Sequence, residues 1–211
     1  MCMRKIDFNN WERKELFKHF SSYSNPYYSI SFNLDITELK KFSDENNFSF
    51  YKTMIYCVSE AVNKTDAFLY LCRNNEIYKT ERREPSYTYL PKDSDNFRFI
   101  YAGTGKGFKN FIIEATAAEN NENTFIDEGK ESDELIHISS LPWLDITSVT
   151  NARNITGQME SIPKFTWGKY IKNNDSYTIN MSLEVNHAFI DGIHIKEFVD
   201  NFYKTVKKLG E

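Results

Sequence analysis

The stretch Tyr177–His194 reads YTINMSLEVNHAFIDGIH, and its periodicity changes part-way along. From Tyr177 to Val185 apolar and polar residues alternate, the period-two signature of a strand with one buried face. From Ile193 to Leu209 the residues Ile195, Phe198, Val199, Phe202 and Val206 recur at helical spacing and predict a closing helix with one inner face. His187 lies at the junction, with Asp191 and Gly192 four and five residues further on. An aspartate there can hold the turn through its carboxylate, and a glycine permits close backbone approach or a positive φ. Such a frame would fix the imidazole with one ring nitrogen free, which a general base requires. HxxxDG alone is short enough to recur by chance in structural loops, so its surroundings must decide.

Outward from this junction, Lys164–Ile171 and Leu135–Ser139 read as strands, and Tyr27–Ile36 alternates like the one before His187. Lys5–Phe8 is a short strand candidate. Asn10 is placed to cap a helix over Trp11–Phe20, and Thr37 to cap one running to about Asn46. Phe50–Asn63 is a second, more apolar helix. Phe68–Cys72, Glu76–Lys79 and Ser86–Leu90 read as strands, the first two joined through Arg73, Asn74 and Asn75. Asp93–Ala118 reads as mostly helical, interrupted by Gly103, Gly105 and Gly107, and Asn120–Ser132 is a polar loop. Helices interspersed with hairpins and a long C-terminal sheet predict one α/β domain over residues 1–211, a two-layer sandwich with a mixed sheet covered by helices.

Composition narrows the function classes. Aromatic residues reach 16%, with 17 Phe and 13 Tyr, so the core or an interface is built from rings. Twenty-six basic residues against thirty acidic ones give a net charge of −4, and the basic runs are short, which argues against nucleic-acid binding. The run Lys79–Arg83 (KTERR) reads as a solvated hairpin end. Three cysteines, Cys2, Cys57 and Cys72, cannot all pair and show no CxxC spacing, which points to a reducing compartment and no zinc site. The start, MCMRKIDFNNW, has no apolar signal core, and no window suits a membrane span, so a soluble cytoplasmic protein is expected.

Other chemistry-bearing patterns are weaker. Gly103-Thr104-Gly105-Lys106-Gly107 resembles a phosphate loop, but its lysine is followed by glycine and its flanks read as helical, so a mobile break between helices is the better account. No GxSxG elbow is present, and Cys57 and Cys72 lie in apolar runs as core residues; no covalent nucleophile is signalled. His19 and His137 read as structural and His194 as a surface residue on the closing helix. No pair of histidines has metal-ligand spacing.

Taken together, the landmarks resemble the chloramphenicol acetyltransferases, whose signature is HHxxxDG. The likeness begins at Asn10-Trp11-Glu12-Arg13-Lys14-Glu15 and passes through Leu34-Asp35-Ile36-Thr37, Phe50-Tyr51 and Pro85-Ser86-Tyr87-Thr88. It continues with Leu141-Pro142-Trp143, Thr147-Ser148 and Thr166-Trp167-Gly168-Lys169-Tyr170, ending at Asn186–His194. The resemblance implies that His187 is the base, that Asp191 pairs with Arg13, that Ser148 donates to the oxyanion and that Thr166 holds a water against the same intermediate. It places Tyr51, Trp143, Lys169 and Tyr170 where the family binds coenzyme A. It also implies direct acetyl transfer from acetyl-CoA to a hydroxyl of chloramphenicol, no metal, and a homotrimer with the site at the subunit boundary.

The chain departs from the pattern at several places. Asn186 stands where the first histidine of the pair is usual, and Phe20 where the acceptor pocket has a tyrosine. Asp95-Asn96-Phe97-Arg98 replaces a polar stretch, and Ile146 stands where an aromatic is usual. Phe20, Phe97 and Ile146 are therefore the expected acceptor-pocket residues, and loss of a hydroxyl partner changes which acceptors fit. A superfamily relative with another acceptor and a silent trimeric ligand-binding protein remain the alternatives at this stage.

Overall fold

The computed structural model describes residues 3–121, 124–153 and 159–210. Its first elements are β1 (Met3–Lys5), α1 (Lys14–Ser21), β2 (Tyr27–Asp35), α2 (Thr37–Glu45), α3 (Phe50–Asn63), β3 (Tyr70–Arg73), β4 (Glu76–Thr80) and β5 (Glu84–Tyr89). β6 (Arg98–Tyr101), α4 (Phe108–Asn121), β7 (Leu135–Ser140), β8 (Lys164–Trp167), β9 (Ile171–Asn173), β10 (Ser176–Asn186) and α5 (Gly192–Leu209) follow. Among the described residues these strands form two sheets. The smaller has the order β1-β4-β3; the larger runs β2-β10-β8-β7-β5-β6, with β9 also paired to β10. β7 runs parallel to β5 and to β8, and the other pairs are antiparallel, so the sheet is mixed as expected.

The long strand β10 organises both layers. Ile179, Met181, Leu183 and Val185 are buried on one face, beside Phe165 and Trp167 of β8, and α2, α3 and α5 cover them. Each such aliphatic or aromatic side chain contributes roughly 1.5–3 kcal/mol on full burial. α3 buries Met54, Ile55, Val58, Ala61 and Val62, and Ser49 accepts the Lys52 amide at its start. α5 inserts Ile195, Phe198, Phe202 and Val206. Cys57 and Cys72 are buried and lie outside any disulfide among the described residues.

The opposite face of β10 is polar. Asn180, Ser182, Glu184 and Asn186 stand in register with Asn33, Ser31, Ser29 and Tyr27 of β2. Across β8 and β7 the same rows continue through Thr166 and Ser139, and through Lys164 and His137. This face receives the segment 147–153 and carries the candidate site.

Several elements differ from the sequence reading. The expected strand Lys164–Ile171 is broken at Gly168–Tyr170, because the chain 141–146 crosses there and Lys169 donates its amide to Leu144. The expected helix over Asp93–Ala118 starts only at Phe108; Arg98–Tyr101 is a strand on β5. The first helix starts at Lys14, after a 3-10 turn at Phe8–Asn10 capped by Asp7, and β1 ends at Lys5. Phe68 and Leu69 belong to a 3-10 turn rather than to β3. The glycine loop is held, not loose: the Thr104 amide donates to Glu84 (2.8 Å), and its hydroxyl donates to Glu60 (2.9 Å), both of which pair with Arg82. Nor is Lys79–Arg83 a solvated end. Arg83 is fully buried and donates to the carbonyls of Phe68, Tyr70, Asp133 and Leu135 and to Ser161.

Candidate active site

At the end of β10 the strand becomes a turn through Asn186. Its side-chain oxygen accepts the Ala188 amide (2.9 Å), and its nitrogen donates to the Glu160 carbonyl (3.0 Å). The turn is tied to β2 by His187 N donating to Pro26 (2.8 Å) and by Tyr28 Oη donating to Ile190 (3.3 Å). Arg13, just before α1, clamps the same turn. Nε donates to the Ala188 carbonyl (2.8 Å) and Nη2 to that of His187 (2.9 Å). Nη1 and Nη2 also form a bidentate pair with the Asp191 carboxylate, at 2.5 and 2.6 Å. That guanidinium is the main cause holding the Asp191 carboxyl below the usual carboxylate range. A planar five-donor fork is the side chain that can satisfy such a set.

The His187 imidazole is set between rings. Phe20 stacks on it at 3.9 Å between centroids and 8° between planes, and Tyr28 lies at 4.5 Å. Nδ1 is buried and 3.1 Å from Asp191 Oδ1, without the alignment of a hydrogen bond. The side chain is 34% exposed, so the ring is oriented yet reachable. Burial keeps the Tyr28 hydroxyl protonated, its pKa pushed up to about 12. Gly192 is not used as the sequence suggested: a Cβ there would meet open space, and its φ is not in the left-handed region. His194, expected at the surface, is half-buried, and its Nδ1 accepts the Asp191 amide at 2.9 Å.

Ser148 and Thr166 lie elsewhere on the polar face. Ser148 is exposed in the segment pinned by Val149, whose amide donates to Ser182 Oγ (3.0 Å) and whose carbonyl accepts from Ser29 (3.3 Å). Further on, the Asn151 amide donates to Glu184 and the Asn151 side chain accepts from Thr166 (3.1 Å). Five residues separate Ser182 from His187 along β10, about 16 Å at the rise of a strand. Within one chain, then, Ser148 and His187 do not meet.

A cavity of about 840 Å³ gathers the residues expected at coenzyme A: Tyr51, Trp143, Lys169 and Tyr170 all line it. Phe97, expected in the acceptor pocket, also lines this cavity, as do Trp167 and Gly168. Tyr51 contributes a ring edge-on to Trp167, its hydroxyl donating to the Thr88 carbonyl (2.9 Å). Trp143 is 65% exposed at the rim, and Tyr170 packs edge-on against Phe50. Ile146, also expected at the acceptor, abuts Gly168: a Cβ there would lie 2.6 Å from Ile146 Cγ1 and 2.7 Å from the Leu144 carbonyl. Phe20 alone of the three expected acceptor residues touches His187. Among the described residues no group of His, Cys, Asp or Glu could hold a metal, and no helix is long and apolar enough to cross a membrane.

A family model described as chloramphenicol acetyltransferase matches residues 1–203. The chain is 30% identical to the chloramphenicol acetyltransferase of Clostridium butyricum over 205 residues, covering 95% of this chain and 93% of that one. It is 28% identical to the Staphylococcus aureus protein of the same name over 223 residues, covering 100% and 99%. Among solved structures, a chloramphenicol acetyltransferase superposes with a TM-score of 0.88 at 22% identity, covering 97% of this chain and all of that one. A probable dihydrolipoamide acetyltransferase from Listeria monocytogenes gives 0.65 at 13% identity over 98% and 95%, a likeness of fold alone.

Proposed function

This chain belongs to the chloramphenicol acetyltransferase family and is an acetyl-CoA-dependent acyltransferase, and on that premise we propose that it moves acetyl from acetyl-CoA to a hydroxyl of chloramphenicol, as one catalytic domain over residues 1–211. The observation that carries this reading is the His187 ring, stacked on Phe20 and backed by the Arg13–Asp191 pair, with one nitrogen left for chemistry. With Nδ1 turned to Asp191, His187 Nε2 takes the proton from the acceptor hydroxyl as its oxygen attacks the thioester carbonyl. Asp191 stabilises the imidazolium that forms. The Ser148 hydroxyl donates to the oxyanion, a contact worth roughly 3 kcal/mol of barrier. Thr166 orders a water beside it, its own hydroxyl proton being donated to Asn151. Collapse expels the coenzyme A thiolate, which recovers the proton from the imidazolium.

The separation of Ser148 and the aromatic cavity from His187 supports a site shared between two copies, in a homotrimer. In this reading one copy offers the imidazole and its neighbour the oxyanion donor and the cavity for acetyl-CoA, lined by Tyr51, Trp143, Lys169 and Tyr170. The cell compartment that fits is the cytoplasm, where acetyl-CoA and the drug meet, and the outcome is antibiotic resistance. Phe20, lacking a hydroxyl where it faces the base, favours a second reading with the same chemistry on another hydroxyl compound. Thiol release from acetyl-CoA with chloramphenicol decides: turnover lost in His187→Ala supports the proposal. Turnover only with other alcohols keeps the chemistry and removes the acceptor. Activity surviving in His187→Ala overturns the assignment of the base.

A further inference from the structure

Four amides at the start of a helix have no partner within it, and the residue before the helix normally supplies one. At α5 that residue is Asp191, whose carboxylate is already engaged by Arg13 and faces His187. Asp191 and His194 form a reciprocal capping box, whose well-aligned half is the Asp191 amide donating to His194 Nδ1 at 2.9 Å. His194 N in turn donates to the Asp191 carbonyl at 3.0 Å, and Ile195 N to the same oxygen at 3.2 Å. Asp191 is thus held through its amide, its carbonyl and its carboxylate.

We propose that His194 is a positioning residue for the transfer reaction, fixing the Asp191 peptide so that its carboxylate stays between Arg13 and the His187 imidazole. The proposal rests on the reading of His187 as the base and adds a residue to it. Without the imidazole, the Asp191 amide is unpaired in a part-buried site and the peptide can rotate, carrying the carboxylate away from Nδ1 of His187. The bond needs a neutral His194, since a protonated ring offers no acceptor at Nδ1. Burial, then the Arg13 cation, lower its pKa below the ordinary histidine value, against Asp191, Glu197 and Asp66 pulling upward. The acceptor therefore persists on the acid side of neutrality.

His194→Ala and His194→Asn separate positioning from packing, because the Asn side-chain oxygen hangs from Cγ as Nδ1 does. In His194→Ala we expect kcat to fall about tenfold or more with KM for acetyl-CoA held within about twofold, the mark of lost alignment rather than lost binding. His194→Asn should recover kcat to within about threefold. A second measurement follows the rate at which diethyl pyrocarbonate modifies His187, read by peptide mass spectrometry. That rate should change in the Ala variant and return in the Asn variant. Wild-type kcat together with an unchanged His187 rate in His194→Ala overturns the proposal, as does an Asn variant no better than Ala in either measurement. If the unmodified enzyme acetylates no acceptor while the His187 rate still follows this pattern, the assignment of the base fails and the positioning role stands.

Discussion

One guanidinium, that of Arg13, serves three residues of the turn, and the ammonium of lysine cannot span them. Arg13→Lys should lower kcat at least tenfold and reduce stability by about 1–3 kcal/mol, measured by thiol release and by urea unfolding. Wild-type values for both would show that the clamp is dispensable. A different residue contributes to the acid sensitivity of the fold. His137 lies on the polar face near Glu131, and burial, then Lys164, Arg153 and Arg83, push its pKa down to about 4 from 6.5. The unfolded chain binds the proton near pH 6.5 and the folded chain only near 4, so stability falls as pH drops through that window, by at most about 3 kcal/mol. His137→Gln should flatten this decline in urea unfolding at pH 7 and pH 5; an unchanged slope would assign it to other groups. At this scale the junction at His187 was legible from the change of period, and the Arg13–Asp191 pair through the family resemblance, which the structure bears out as a contact. Arg83 and His194 were not, because burial of a charge or a reciprocal cap depends on partners distant in sequence or on a side-chain angle that no local pattern encodes.

Gly168 shows what an element boundary can demand. The segment Leu141–Ile146 passes so close that any side chain at 168 would strike the Leu144 carbonyl and Ile146, while Leu141 N donates to Trp167 (2.8 Å) and Lys169 N to Leu144 (2.7 Å). The crossing builds the rim on which Trp143 and Lys169 sit. Gly168→Ala should displace that rim, raising KM for acetyl-CoA about tenfold with a stability loss of about 1–3 kcal/mol. Steady-state kinetics and calorimetric titration with coenzyme A would measure it, and unaltered affinity would free the rim from dependence on this glycine. The sequence showed β10, α3 and α5 nearly to their ends, because each carries a long unbroken period. It hid the break in Lys164–Ile171, since the alternation runs through a residue whose neighbour is the chain 141–146. It also hid β6: Arg98–Tyr101 is short, and the aromatic residues before Gly103 fit either period.

At the scale of the molecule, the mixed sheet covered by helices follows from its order of elements, whereas the proposed sharing of a site between copies is not written in any one segment. If His187 works with the Ser148 of another copy, two inactive variants should complement each other. Chains carrying His187→Ala and Ser148→Ala, refolded together in equal amounts, should regain about a quarter of wild-type activity, the chance that an intact imidazole faces an intact serine across a ring of subunits. No recovery, from oligomers shown to be mixed, would return both residues to a single chain.

The glycine loop beside β6 carries a different consequence. Glu84 already occupies the Thr104 amide, and a Cβ added at Gly103 would touch the same carboxylate. A tethered occupant competes at an effective concentration of the millimolar order, with no translational entropy to lose on rebinding. A dissolved anion therefore meets an amide already satisfied by the chain's own acid, and the resemblance of Gly103–Gly107 to a phosphate loop stops at its composition.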